Sequence, residues 1–114
     1  HLFDKGLKFS ATGIVGAGLP VAIGHAYAAK LKGNGAIAVA VVGDGAINTG
    51  AFHESMNMAG AMKLPLVVVV ENNEWAISVP FSASSATETI AERAPSWSAR
   101  GIRIDGLDVE LVSK

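Results

Sequence analysis

The 114-residue sequence contains no cysteine. Disulfides, thiolate catalysis and cysteine-based zinc sites are therefore excluded. It also lacks a dominant charge, with nine Lys and Arg against ten Asp and Glu. A net charge near −1 argues against a nucleic-acid partner, which favours a basic face, and against a polybasic membrane contact. It argues against disorder too, which goes with low hydrophobicity and high net charge. There is no internal repeat and no low-complexity tract. The opening His1-Leu2-Phe3-Asp4-Lys5 has no basic segment leading into an apolar one, so no export signal is expected there.

Half of the residues are apolar, and the mean hydropathy of +0.39 is high for a chain of this size. Small domains leave much of their surface in water, so the sequence predicts apolar surface that meets a partner. Residues 9–29 carry no formal charge and are numerous enough to span a bilayer. They nevertheless mix five Val, Leu and Ile with Gly13, Gly16, Gly18, Gly24, Pro20, Ser10, Thr12 and His25. The composition fits a glycine-rich loop followed by a helix better than a span.

Residues 36–42 and 66–70 are short, β-branched, continuous apolar runs. Such runs suit parallel strands covered on both faces. Residues 101–104 are a weaker third strand candidate. Helices are expected over 20–31, 49–62 and 87–93, with another helix start at 108–111. In the first, Val21, Ala22, His25, Ala28 and Ala29 fall near helical spacing, and His25 reads as a buried, hydrogen-bonded core residue. In the second, Phe52, Met56 and Ala59 form one stripe, and His53 reads as a surface or interface residue. Ser82 to Ser85 reads as a polar loop, Trp97 as packing and Arg100 as surface. Alternation of strand and helix predicts the α/β class, a parallel sheet with helices on both faces.

The first apolar run ends in Gly43-Asp44-Gly45-Ala46. Ligands of open α/β sheets sit beyond the carboxyl ends of strands, and glycines there let backbone approach a phosphate. A dinucleotide fingerprint would need a third glycine where Asn48 stands. Asp44 would also face a pyrophosphate of its own sign, which is repulsive. A magnesium ion between them removes the conflict, because it commonly bridges a carboxylate to phosphates. The second run ends in Glu71-Asn72-Asn73-Glu74-Trp75. Adjacent parallel strands would set Asn73, a neutral amide oxygen donor, beside Asp44.

Gly43-Asp44-Gly45, then 26 residues, then Asn72-Asn73 resembles the thiamine-diphosphate motif. Gly13-Ile14-Val15-Gly16, residues 43–50, Lys63-Leu64-Pro65, residues 71–73, residues 75–80 and residues 104–108 resemble the α subunit of the E1 component of 2-oxo acid and acetoin dehydrogenase complexes. The resemblance implies a central part, residues 1–114, of a thiamine-diphosphate-binding domain of the diphosphate type. It implies that Asp44, Asn73 and the Trp75 carbonyl ligate Mg²⁺. Gly45 and Ala46 would contact the diphosphate by their N–H groups, Gly13 and Val15 the aminopyrimidine, and Ile77 would pack under the cofactor. Glu54 matches a helix carboxylate lining an acidic proton tunnel, whose second acid is replaced by Ala51. No other catalytic side chain is implied among these residues. The implied activity is decarboxylation of a 2-oxo acid, or acetoin cleavage, with acyl transfer to lipoyl-E2. The resemblance also implies an E1 β subunit, in an α2β2 heterotetramer, that brings the glutamate needed to protonate the aminopyrimidine ring, so these residues alone are expected to be inactive. The implied location is cytoplasmic in bacteria or archaea and the mitochondrial matrix in eukaryotes. The competing readings are a transketolase-like enzyme and a non-catalytic domain.

Overall fold

A computed structural model describes all 114 residues. A short antiparallel hairpin, β1 (Leu2–Asp4) and β2 (Phe9–Ala11), opens the chain. A glycine-containing loop leads into α1 (Gly18–Lys32), which stops at Gly33, a left-handed residue at φ 60° whose N–H bonds the Ala29 and Lys30 carbonyls. β3 (Ala38–Gly43) is followed by a 3-10 helix, Asp44–Asn48, and then α2 (Gly50–Ala61). β4 (Leu66–Glu71) pairs in parallel with β3 over six residues, from Ala38 opposite Leu66 to Gly43 opposite Glu71. Beyond it come the two-residue strands β5 (Trp75–Ala76) and β6 (Val79–Pro80), α3 (Phe81–Ser84), a second 3-10 helix (Ala91–Trp97) and α4 (Val109–Val112).

The class is mixed α/β with one parallel pair. Residues 101–104, expected as a third strand, are irregular and exposed. They have no neighbouring strand to satisfy their backbone, so the β-branched residues there cannot make a ladder. The helix expected over 87–93 is also absent. Ser85 and Thr87 turn their hydroxyls onto the Thr87 and Thr89 carbonyls, at 2.8 and 3.0 Å. Such local bonds compete with a helix, and only the 3-10 helix from Ala91 forms. The polar loop expected over 82–85 is instead largely the single turn of α3.

The core unites Leu19 and Ala22 of α1, Ala40 of β3, Ile47, Phe52 of α2 and Phe81, with Val42, Leu66, Val68 and Val70 packed against them. The buried stripe of α1 is Leu19, Ala22, Ile23 and Ala26. His25 therefore lies off that face and is exposed, contrary to the core role expected for it. The helix begins two residues before Pro20, and the stripe counts from Leu19. Trp97 packs against the core, its ring centroid 5.8 Å from that of Phe52; Arg100 and His53 are exposed, as expected.

The sheet departs from expectation in one respect. Helices cover one face, while Val39, Val41, Val67 and Val69 on the other are 44–61% exposed. The strands are apolar on both faces, but these residues cover only one.

Candidate functional site

Because Gly43 pairs with Glu71, β3 and β4 end together, and the turns that follow them share one edge of the sheet. After β3 the chain tightens directly into the 3-10 helix at Asp44, so a short tight turn intervenes before α2. After β4 the Asn72 Oδ1 accepts the Glu74 N–H at 2.9 Å, and the Asn73 Oδ1 accepts the Trp75 N–H at 3.0 Å. These successive side-chain turns bend the backbone sharply and leave Glu74 left-handed at φ 68°. The Asn73 oxygen keeps a second lone pair. The two turns touch: a Cβ on Gly45 would lie 2.8 Å from the Ala76 Cβ. Glycine at 45 is what lets the Asp44 turn seat on the strand that starts at Trp75.

A third segment closes on the same place. Gly16 has φ 79°, and a Cβ there would lie 2.4 Å from the Thr49 Oγ1. The loop of Gly13 and Val15 is thereby held against the start of α2. Thr49 serves three neighbours at once. Its hydroxyl donates to the Ala46 carbonyl at 2.8 Å, accepts the Phe52 N–H at 3.2 Å as the cap of α2, and abuts Gly16. Sequence reasoning assigned Thr49 and Gly16 no such part. A threonine three residues before a core phenylalanine at a helix start was the available signal.

Asp44 is 4% exposed. No side-chain hydrogen bond or ion pair within the chain engages its carboxylate, yet neither oxygen is sealed from solvent. Both oxygens are thus free of protein partners and open to a cation arriving from solvent. No group of three or more His, Cys, Asp or Glu could hold a metal ion. A cation at Asp44 would therefore draw on amide, carbonyl and ligand oxygens, a donor set that suits Mg²⁺. Gly13 and Val15 are exposed, Trp75 is half-exposed, and Ile77 is fully exposed at φ 57°. Glu54 stands apart from the meeting turns, in a groove between α1 and α2 that also contains Pro20, Ile23, Ala51 and Met58.

The sequence matches the family described as "Dehydrogenase E1 component" over residues 4–114. The chain belongs to that dehydrogenase E1 family. It is 43% identical over 109 residues to the α subunit of acetoin:2,6-dichlorophenolindophenol oxidoreductase of Bacillus subtilis (strain 168), covering 96% of this chain and 32% of that protein. It is 40% identical over 113 residues to the pyruvate dehydrogenase E1 component subunit α of Rhizobium meliloti (strain 1021), covering 98% of this chain and 32% of the relative. The corresponding subunit of Rickettsia typhi is 40% identical over 111 residues, covering 96% and 34%. The chain thus spans about a third of the length of these relatives. All three relatives are named as α subunits, two of them of the pyruvate dehydrogenase E1 component. Relatives named for acetoin and for pyruvate match to a similar degree.

Proposed function

We propose that residues 1–114 are the central part of the diphosphate-binding domain of an E1 α subunit, and that they hold Mg²⁺ and the diphosphate of thiamine diphosphate. Asp44 and Asn73 would bind the metal by side-chain oxygens and Trp75 by its carbonyl. Gly45 and Ala46 would offer N–H groups to the diphosphate, Gly13 and Val15 would face the aminopyrimidine, and Ile77 would pack beneath the cofactor. The observation that supports this most is the seating of Gly45 on Ala76, which joins the Asp44 turn to the Asn73–Trp75 turn. Withdrawal of an unpartnered carboxylate at that junction agrees with it.

When bound, the cofactor supplies the carbanion chemistry for decarboxylating a 2-oxo acid or cleaving acetoin. The part of these residues is to bind and orient it. Asp44 offsets the cation's charge, and the apolar side chains of Val15 and Ile77 limit water near the ring. In the longer protein, further elements complete a sheet covered on both faces, as the bare valines require. A β subunit in an α2β2 assembly and a lipoyl-E2 acceptor are the partners. No helix is long and apolar enough to cross a membrane, and a bacterial cytoplasmic location fits the relatives' sources.

Asp44→Ala in the full-length protein tests the proposal. Loss of a charged ligand costs several kcal/mol, so calorimetry should show Mg²⁺-dependent thiamine-diphosphate affinity falling by at least about a hundredfold. Unchanged affinity would overturn the assignment.

A further inference from the structure

We infer that Arg93 is a positioning residue for the Asp44 turn, an inference that rests on the function proposed above. Its guanidinium donates from all three nitrogens to three neutral acceptors. Nε reaches the Thr87 Oγ1 at 3.2 Å, one terminal nitrogen the Asn48 Oδ1 at 3.0 Å, and the other the Ser85 Oγ at 2.7 Å. Each acceptor is itself oriented. The Ser85 hydroxyl donates to the Thr87 carbonyl, and the Thr87 hydroxyl to the Thr89 carbonyl, which leaves their lone pairs for Arg93. The Asn48 Nδ2 donates to the Ser84 carbonyl at 3.1 Å, so both ends of that amide are fixed.

Asn48 is the last residue of the five-residue 3-10 helix whose first three residues are Asp44, Gly45 and Ala46. A helix this short moves as one piece. Holding Asn48 from Arg93, 45 residues away in sequence, therefore fixes the tilt at which Asp44 and the Gly45 and Ala46 N–H groups are presented. Ligand constellations lose affinity when their supporting shell lets them drift by about 0.5 Å or more. Lysine cannot replace the clamp, because it lacks the planar fork that reaches three acceptors at once. Arg93 has no carboxylate among these partners, so its charge strengthens bonds to groups that belong to the turn and its brace.

The test uses the full-length α chain with its β partner. It reads calorimetric thiamine-diphosphate affinity at saturating Mg²⁺ and the melting midpoint of the cofactor-free protein. Arg93→Lys and Asn48→Ala should each weaken affinity by about tenfold or more. The double variant should be no weaker than the weaker single, since both cut one link. Thr87→Val should weaken it by about fivefold, while Thr87→Ser, which keeps the acceptor, stays within about threefold. The Thr87 pair carries the test if Arg93→Lys does not assemble. Affinities within threefold in every variant, with only the melting midpoint lowered, would reduce Arg93 to a structural anchor and overturn the inference alone. No binding by the unsubstituted protein would overturn both the inference and the function it rests on.

Discussion

Glycine is needed at positions 16 and 45 for different reasons, and the difference can be measured. Gly16 combines a left-handed backbone with a Cβ position 2.4 Å from the Thr49 hydroxyl oxygen, well inside van der Waals contact. Gly16→Ala should destabilise the full-length protein by about 2–4 kcal/mol, as strain and overpacking add. Gly18→Ala meets nothing within 4 Å and should stay within about 1 kcal/mol in the same denaturant titration. Gly45 has an ordinary φ, so Gly45→Ala should cost less stability. It parts the two turns instead, and should lower cofactor affinity more than the melting midpoint. A ring at position 75 has a looser role. If the carbonyl alone meets the metal, Trp75→Phe should keep Mg²⁺-dependent binding within about tenfold, because the backbone is unchanged. Complete loss in that variant would make the indole itself the contact.

At the scale of elements, β3, β4 and α2 were legible because each has a strong local pattern, whereas α1 was legible as a helix but its buried stripe shares only Ala22 with the one expected. Continuous β-branched runs placed both strands to within two residues, and the apolar stripe of Phe52, Met56 and Ala59 placed α2. The common sheet edge of the turns that follow β3 and β4 was also legible, since two adjacent parallel strands of similar length end together. Residues 101–104 misled because β propensity describes how a residue fits a sheet, not whether a neighbouring strand exists. The helix expected over 87–93 misled because hydroxyl-to-carbonyl bonds at Ser85 and Thr87 outweigh propensity. The contacts of Gly16 with Thr49 and of Gly45 with Ala76 join segments more than 30 residues apart, and no local pattern announces them. Thr49 is the element that ties these scales together. Thr49→Val should lose about 1 kcal/mol through the lost cap, and Thr49→Ser should restore it, as read from chemical denaturation of the full-length protein.

The whole molecule exposes 8050 Å². A folded monomer of 11.7 kDa exposes about 5,900 Å². Its radius of gyration, 14.4 Å, also exceeds the roughly 13 Å expected of a domain of this length. The surplus surface, on the order of 2,000 Å², is larger than the ~800 Å² that one partner contributes to a standard interface. Much of it is apolar: the outer valines of β3 and β4, and Leu2, Phe3 and Leu7 near the first hairpin. Exposed strand edges and apolar patches invite association, so the 114-residue chain made alone should sediment as oligomers or aggregates and bind thiamine diphosphate weakly or not at all. A clean monomer with micromolar affinity would show instead that the diphosphate half of the site stands by itself. The most direct measurement of the central claim, that Asp44 ties a divalent cation to the cofactor's diphosphate, is electron paramagnetic resonance of the full-length protein with Mn²⁺ in place of Mg²⁺. Hyperfine coupling between Mn²⁺ and the phosphorus of bound thiamine diphosphate should be present in the unsubstituted protein and absent in Asp44→Ala. Coupling that survives unchanged in Asp44→Ala would contradict the claim.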